Sequence, residues 1–176
     1  MTASLVVVTG PPASGKSSLA RDLASELSIP FLSKDELKER LYEVFGSGDE
    51  AEDQVERAAL AILFSVTRSN LAAGVDVLVE SNFDADTDTE PLREMPARLV
   101  QVHCDGDTDE LVEHFAERAA SGRRHPGHDD RPEDAAELRR KIGAGFWAPL
   151  DLPGELIRLD LSERHVDAAE VAARIR

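Results

Sequence analysis

The chain has 176 residues, enough for one domain with a sizeable core and at most a small insertion. Acidic side chains number 35 against 20 basic ones, a net charge of −15. This argues against a generally basic nucleic-acid-binding surface, because a duplex would be repelled except at a local basic patch. A single cysteine, Cys104, excludes an intramolecular disulfide and a cysteine-based zinc cluster. No apolar run approaches the ~18 residues of a membrane-spanning helix.

Ser4 to Thr9 reads as a first strand, apolar enough to be buried on both faces. It runs into Gly10-Pro11-Pro12-Ala13-Ser14-Gly15-Lys16-Ser17, the pattern G-x-x-x-x-G-K-S between a strand and a helix. The spacing has a chemical reason. Gly10 and Gly15 let the backbone turn tightly and approach an anion closely. The N–H groups of Ala13, Ser14, Gly15, Lys16, Ser17 and Ser18, at the positive end of the helix, then face phosphate oxygens. Lys16 reaches the β- and γ-phosphates, and the Ser17 hydroxyl is a Mg²⁺ ligand. A nucleoside triphosphate such as ATP, with Mg²⁺, is the implied occupant.

The first helix spans about Lys16 to Leu27, with Leu19, Leu23 and Leu27 on its buried face. Ile29 to Leu32 is a short second strand. Ser33 has the look of an N-cap, with Glu36 completing a capping box. The next helix, Lys34 to about Phe45, turns Leu37, Leu41, Val44 and Phe45 inward. A flexible Gly46 to Glu50 connection leads to a long helix, about Ala51 to Ala73, stopped by Gly74. Val55, Leu60, Leu63, Val66 and Leu71 are among its apolar positions. Val75 to Ser81 is a third strand, followed by a polar, acidic segment to Glu94 with one short helix at most. Arg98 to Cys104 is the fourth strand, ending in a buried, inert thiol. Asp107 to Ala120 is helical, Ser121 to Pro132 a charged loop, and Glu133 to Ile142 helical again. Gly143 to Pro153 is irregular, with Trp147 read as a core residue rather than a stacking platform. Leu156 to Leu161 and Val166 to Ile175 close the chain as strand and helix. Strands alternating with helices imply a parallel sheet covered on both faces. With no signal peptide in view, a cytoplasmic location is expected.

In such sheets the working groups sit at the carboxyl ends of the strands. The second strand delivers Asp35, placed to accept the proton of an attacking hydroxyl; the bland alternative is a first-turn acid favoured by the helix dipole. Lys38, one turn later, is placed to hold an anionic or hydroxylated substrate, or is simply a surface lysine. The third strand ends in Glu80-Ser81-Asn82. Glu80 suits a Mg²⁺-bound water or a substrate hydroxyl, and Asn82 the latter. Arg118, Arg123, Arg124 and Arg131 fall within fourteen residues of an otherwise acidic chain. In a loop that Gly122, Pro126 and Gly127 make mobile but bounded, they suit a lid that brings guanidinium charge to a transferring phosphoryl group. His125, His128 and Asp129 lack the scaffold of a tetrahedral metal site. Substrate contact by His125, or a hydrogen bond that shapes the lid, fits better.

With Gly10 to Ser17, Ser33-Lys34-Asp35 and the arginine-rich loop in place, the chain resembles the small P-loop kinases. The nearest group contains chloramphenicol phosphotransferase, zeta toxins and the kinase domain of phage polynucleotide kinase. The resemblance implies a five-stranded parallel sheet with the P-loop strand central, in one domain over residues 1–176 with a lid at about 118–132. It implies ATP, Mg²⁺ and transfer of the γ-phosphoryl group to a hydroxyl, with Asp35 as base and Arg118 with Arg123 or Arg124 as lid arginines. The chain is too short for the added helices of zeta toxins. The acceptors considered are a nucleoside, foremost, then a sugar nucleotide or an antibiotic. A polynucleotide 5′-hydroxyl kinase and a regulatory NTP-binding switch or ATPase subunit are the competing readings. Against the switch stands the third strand, Val77 to Glu80, which ends in a single acid.

Overall fold

Leu5 to Val8 carry no polar side chain, and all four are fully enclosed, as a central parallel strand requires. The computed structural model describes residues 2–46, 49–122, 125, 127–128, 130–162 and 166–176. In it, β1 (Ser4–Thr9), β2 (Phe31–Ser33), β3 (Val77–Glu80), β4 (Arg98–Asp105) and β5 (Glu155–Asp160) form one parallel sheet in the order β2-β3-β1-β4-β5. The α-helices are α1 (Lys16–Leu27), α2 (Lys34–Phe45), α3 (Asp49–Ala72), α4 (Thr89–Arg93), α5 (Thr108–Ala120), α6 (Ala135–Gly143) and α7 (Ala168–Ile175), with a 3₁₀ turn at Pro132–Asp134. The five-stranded parallel α/β fold with the P-loop strand at its centre is the one that the resemblance to small P-loop kinases implies.

Side chains alternate across the sheet, and each face has its own core. Val6, Val8, Leu78, Val100, Val102 and Ile157 meet Leu19 and Leu23 of α1 and Val171 and Ile175 of α7. Leu5, Val7, Val77, Val79 and Leu99 meet Leu63 and Leu71 of α3, with Phe83 and Leu92. Each fully buried side chain of this size contributes roughly 1.5–3 kcal/mol. The alternation also aims the site. Leu78 faces α1, so Glu80, two residues on, faces α1 as well.

Several local expectations are corrected. Ser33 precedes α2, but its hydroxyl donates to Glu80 Oε2 at 2.8 Å, and Glu36 accepts from Arg21 at 2.6 Å, so no capping box forms. Val44 and Phe45 are 74% and 70% exposed. The buried face of α2 instead carries Lys34 and Tyr42 against α3, and Val44 lies about 200° round the helix from Tyr42. Val66 is exposed too. Asp49, expected in the connection, already belongs to α3. The third strand begins at Val77 rather than Val75, because the Val75 N–H closes the end of α3 on the Asn70 carbonyl at 3.0 Å. Trp147 is half-buried in the turn after α6. It meets Phe146 edge-on at 5.1 Å between ring centroids, away from the two cores.

Candidate active site

The loop between β1 and α1 has the backbone its glycines predict. A Cβ on Gly10 would lie 2.1 Å from the Cys104 carbonyl oxygen, so the loop hugs the end of β4 only because Gly10 has none. Gly15 and Ala13 adopt positive φ of 81° and 64°, which turns the following N–H groups inward. Ser14 Oγ is buried and has no hydrogen-bond partner among the described residues, an orphan that a phosphate oxygen would satisfy.

Lys16 is buried. Its ammonium donates to the Pro11 carbonyl at 3.2 Å and lies 3.9 Å from Glu80 Oε1. Burial lowers its pKa, opposed by Glu80 and, more weakly, by Asp35. One donor on Pro11 leaves an ammonium with two further N–H groups to offer. Glu80, 3% exposed, also accepts from Ser17 Oγ at 3.1 Å. Ser33 and Glu80 are paired residues of adjacent strands, which explains the Ser33 contact. One carboxylate thus gathers the serines that end β2 and begin α1, together with the P-loop lysine. Hard oxygen donors beside a buried carboxylate fit Mg²⁺.

Two cavities meet here. One, of 270 Å³, is lined by Ala13, Gly15, Lys16, Ser17, Ser18, His114 and Arg118. The other, of 450 Å³, is lined by polar side chains except for Pro12, among them Ser33, Asp35, Glu39, Asn82 and Arg118. Lys16, Ser17 and Arg118 border both. A larger cavity of 810 Å³ lies at the opposite, amino-terminal end of the sheet, around Ser4, Asp76, Arg98 and Arg176. It is remote from the P-loop.

Asp35, in the first turn of α2, and Asn82, just beyond β3, therefore share one cavity. Asn82 Oδ1 is buried with no hydrogen-bond partner among the described residues. Arg118, at the end of α5, lies 5.5 Å over the Phe115 ring and donates to Asp130 Oδ2 at 3.1 Å. Lys38 is directed to α3, where its ammonium pairs with Glu56 Oε2 at 2.6 Å. His125 Nδ1 accepts from the Gly127 N–H at 3.1 Å, and its ring stacks near Tyr42, 6.2 Å between centroids. Arg123 and Arg124 lie outside the described residues.

Some residues of this site carry no motif. His128 Nε2 lies 3.1 Å from Glu39 Oε1, with its side chain only 4% exposed, and Gly127 packs flat on Tyr42. These contacts join the loop after α5 to α2. Glu39 stands one turn from Asp35, a spacing that flags it as a neighbour; Tyr42 offers no such signal. Glu56, which holds Lys34 as well as Lys38, is one acid among many on α3 until the structure shows its partners.

Residues 5–139 match the model of an AAA domain family, AAA_33. The chain belongs to that family. No curated protein matches. The AAA_33 chain is similar to a candidate kinase from Chloroflexus aurantiacus J-10-fl, at 34% identity and a TM-score of 0.91, covering 100% of this chain and 98% of that one. It shares its fold with a sugar kinase from Janibacter sp. HTCC2649, at 22% identity, TM-score 0.64 and coverage of 98% and 92%. It also shares it with Kti12 of Chaetomium thermophilum in complex with ADP-AlF3, at 19% identity, TM-score 0.65 and coverage of 97% and 96%. The AAA_33 fold here is that of the P-loop kinases, a nucleotide-binding fold.

Proposed function

We propose that the protein is an ATP-dependent phosphotransferase that delivers the γ-phosphoryl group to a hydroxyl of a small, hydroxyl-rich molecule. The observation that carries this reading is the pair of cavities sharing Lys16, Ser17 and Arg118, with Asp35 on one side and the P-loop on the other. A phosphoryl group held at that border faces a carboxylate across the acceptor space.

Lys16, the Ser14 hydroxyl and the P-loop N–H groups bind and orient the phosphates. Ser17, with Glu80 behind it, would hold Mg²⁺, which supplies charge to offset that on the transferring group. The contact with Ser17 supports a metal-side role for Glu80 rather than a grip on the acceptor. Asn82 Oδ1 accepts a hydrogen bond from one acceptor hydroxyl. Asp35 takes the proton of the attacking hydroxyl as the hydroxyl oxygen bonds to the γ-phosphorus and the bond from that phosphorus to the departing ADP breaks. Arg118, near the end of α5, adds guanidinium charge at the border, and Arg123 and Arg124 are proposed to join it.

The polar lining favours an acceptor recognised through hydroxyls, such as a sugar or the ribose of a nucleoside, over one recognised by a flat ring. The test is transfer of labelled γ-phosphate from ATP to sugars, nucleosides, sugar nucleotides, aminoglycoside and phenicol antibiotics and 5′-hydroxyl oligonucleotides. Asp35→Asn is expected to bind ATP and lose transfer. Labelling of an oligonucleotide alone, with a steep fall in salt, would replace this acceptor class with a polynucleotide.

A further inference from the structure

Residues 34, 38 and 42 of α2 fall one turn apart in a line, and all three face α3. Lys34 pairs with Glu56 Oε1, and Lys38 Nζ lies 2.6 Å from Glu56 Oε2, so one carboxylate holds one ammonium on each oxygen. Both lysine side chains are only 11% exposed. Asp35 is next to Lys34 in sequence and three residues before Lys38. On a helix surface that second spacing normally makes an intrahelical ion pair, yet Lys38 turns the other way.

We propose that Glu56 is a positioning residue for phosphoryl transfer: by anchoring Lys34 and Lys38 against α3, it keeps both ammonium groups off the Asp35 carboxylate. The inference rests on the phosphotransferase reading above, in which Asp35 is the base. An ammonium paired with that carboxylate would compete with the acceptor hydroxyl for its oxygens and would lower its appetite for a proton. Two largely enclosed lysines robbed of Glu56 cannot simply relax into water, and Asp35, one turn away, is a short swing for Lys38. Lys34 has a second acid within electrostatic reach, Asp88, so Lys38 is the lysine that matters. The mutual grip is strong. Burial would raise the Glu56 carboxyl, but hydrogen bonds from Lys34 and Lys38 hold it below its ordinary range. Burial would likewise lower Lys38, and Glu56 holds it above. Among the described residues, other charges beside Asp35 are Lys16 and Arg21 from α1, Glu36, Glu39 and Arg40 from α2, Glu80 from β3 and Arg118 from α5. None of them changes in the variants below.

The test is basal hydrolysis of Mg-ATP, with water standing in for the acceptor hydroxyl, alongside ATP affinity and thermal melting. The variants are Asp35→Asn, Glu56→Gln, Glu56→Asp and the double variant Glu56→Gln/Lys38→Met. Glu56→Gln should lower kcat by roughly tenfold or more, part of the 10²–10⁴-fold a general base contributes, with ATP affinity unchanged. Glu56→Asp, which keeps the charge, should retain most of the rate. The double variant should recover most of what Glu56→Gln loses, because the intruding ammonium is gone. A plain helix–helix clamp predicts the reverse, a double variant at least as impaired as the single one. That result, or wild-type hydrolysis by a folded Glu56→Gln, overturns the inference while leaving the parent reading intact. If Asp35→Asn itself hydrolyses ATP at the wild-type rate, the base assignment falls and takes the inference with it.

Discussion

Gly127 has no room for a side chain. A Cβ built there would lie 2.2 Å from Tyr42 Cδ2 and 2.7 Å from both Cγ and Cε2. Ordinary carbon contacts are about 3.5–4.0 Å, so Gly127→Ala falls short by more than 1 Å. Tyr42 is 4% exposed on the buried face of α2, so its ring has little open space to step into. Relief must come from the loop after α5 lifting away from α2. Overpacking of this kind costs about 1–3 kcal/mol, or roughly 5- to 150-fold in the population of the docked loop. The cost is local, because Gly127 lies outside both hydrophobic cores. Lifting the loop also separates His128 from Glu39. Phosphoryl transfer by Gly127→Ala should therefore fall by about tenfold or more, while the melting temperature stays within a few degrees. Amide exchange should quicken at residues 119–131 and nowhere else. The compensating variant is Gly127→Ala/Tyr42→Leu, whose smaller side chain makes room and should restore part of the rate. Wild-type turnover and wild-type exchange in Gly127→Ala would refute the reasoning, since they would show that the loop does not work from its docked position.

Three further outcomes concern the metal side of the site and the buried groups of β4. Glu80→Gln keeps a hydrogen-bonding group against Ser17 and Ser33 but removes the charge; turnover should fall by about 10²-fold and the Mg²⁺ concentration for half-maximal rate should rise, as read by metal titration. His103 on β4 is buried, its Nδ1 lies 2.9 Å from Thr9 Oγ1, and burial holds its pKa below 6.5. The neutral ring is therefore the folded form. The stability it contributes is full above 6.5 and is lost as pH falls through the lowered folded value, at up to about 1.4 kcal/mol per pH unit. Urea midpoints measured between about pH 7 and pH 5 should show that slope, and His103→Gln should flatten it. The Cys104 thiol is pushed up to about 12 by burial at the end of β4. Thiol reagents should modify it at the rate of unfolding, and rapid labelling of the native protein would contradict its enclosure.

What the sequence discloses is whatever is specified by local chemistry. The P-loop is legible because eight contiguous residues carry both its shape and its charge. The central strand is legible because Leu5 to Val8 can be buried on both faces. Asp35 and Asn82 line one cavity because strand ends in a parallel sheet converge on one edge. The misreadings have a common cause. Ser33 and Glu36 have the spacing of a capping box, but Glu80 from a strand 47 residues away offers Ser33 a buried, charge-bearing acceptor, a stronger partner than the backbone of its own helix. Val44 and Phe45 have the hydrophobicity of core positions, yet α2 buries Lys34 and Tyr42 instead, because the charge on Glu56 across the gap makes a buried lysine tolerable. In each case a tertiary carboxylate overrides a local rule. Both carboxylates, Glu80 and Glu56, sit against the elements that carry the proposed chemistry. Local rules thus fail in this chain where the fold assembles a polar centre from separate elements, and a failed N-cap or a lysine on a buried helix face is itself a pointer to that centre.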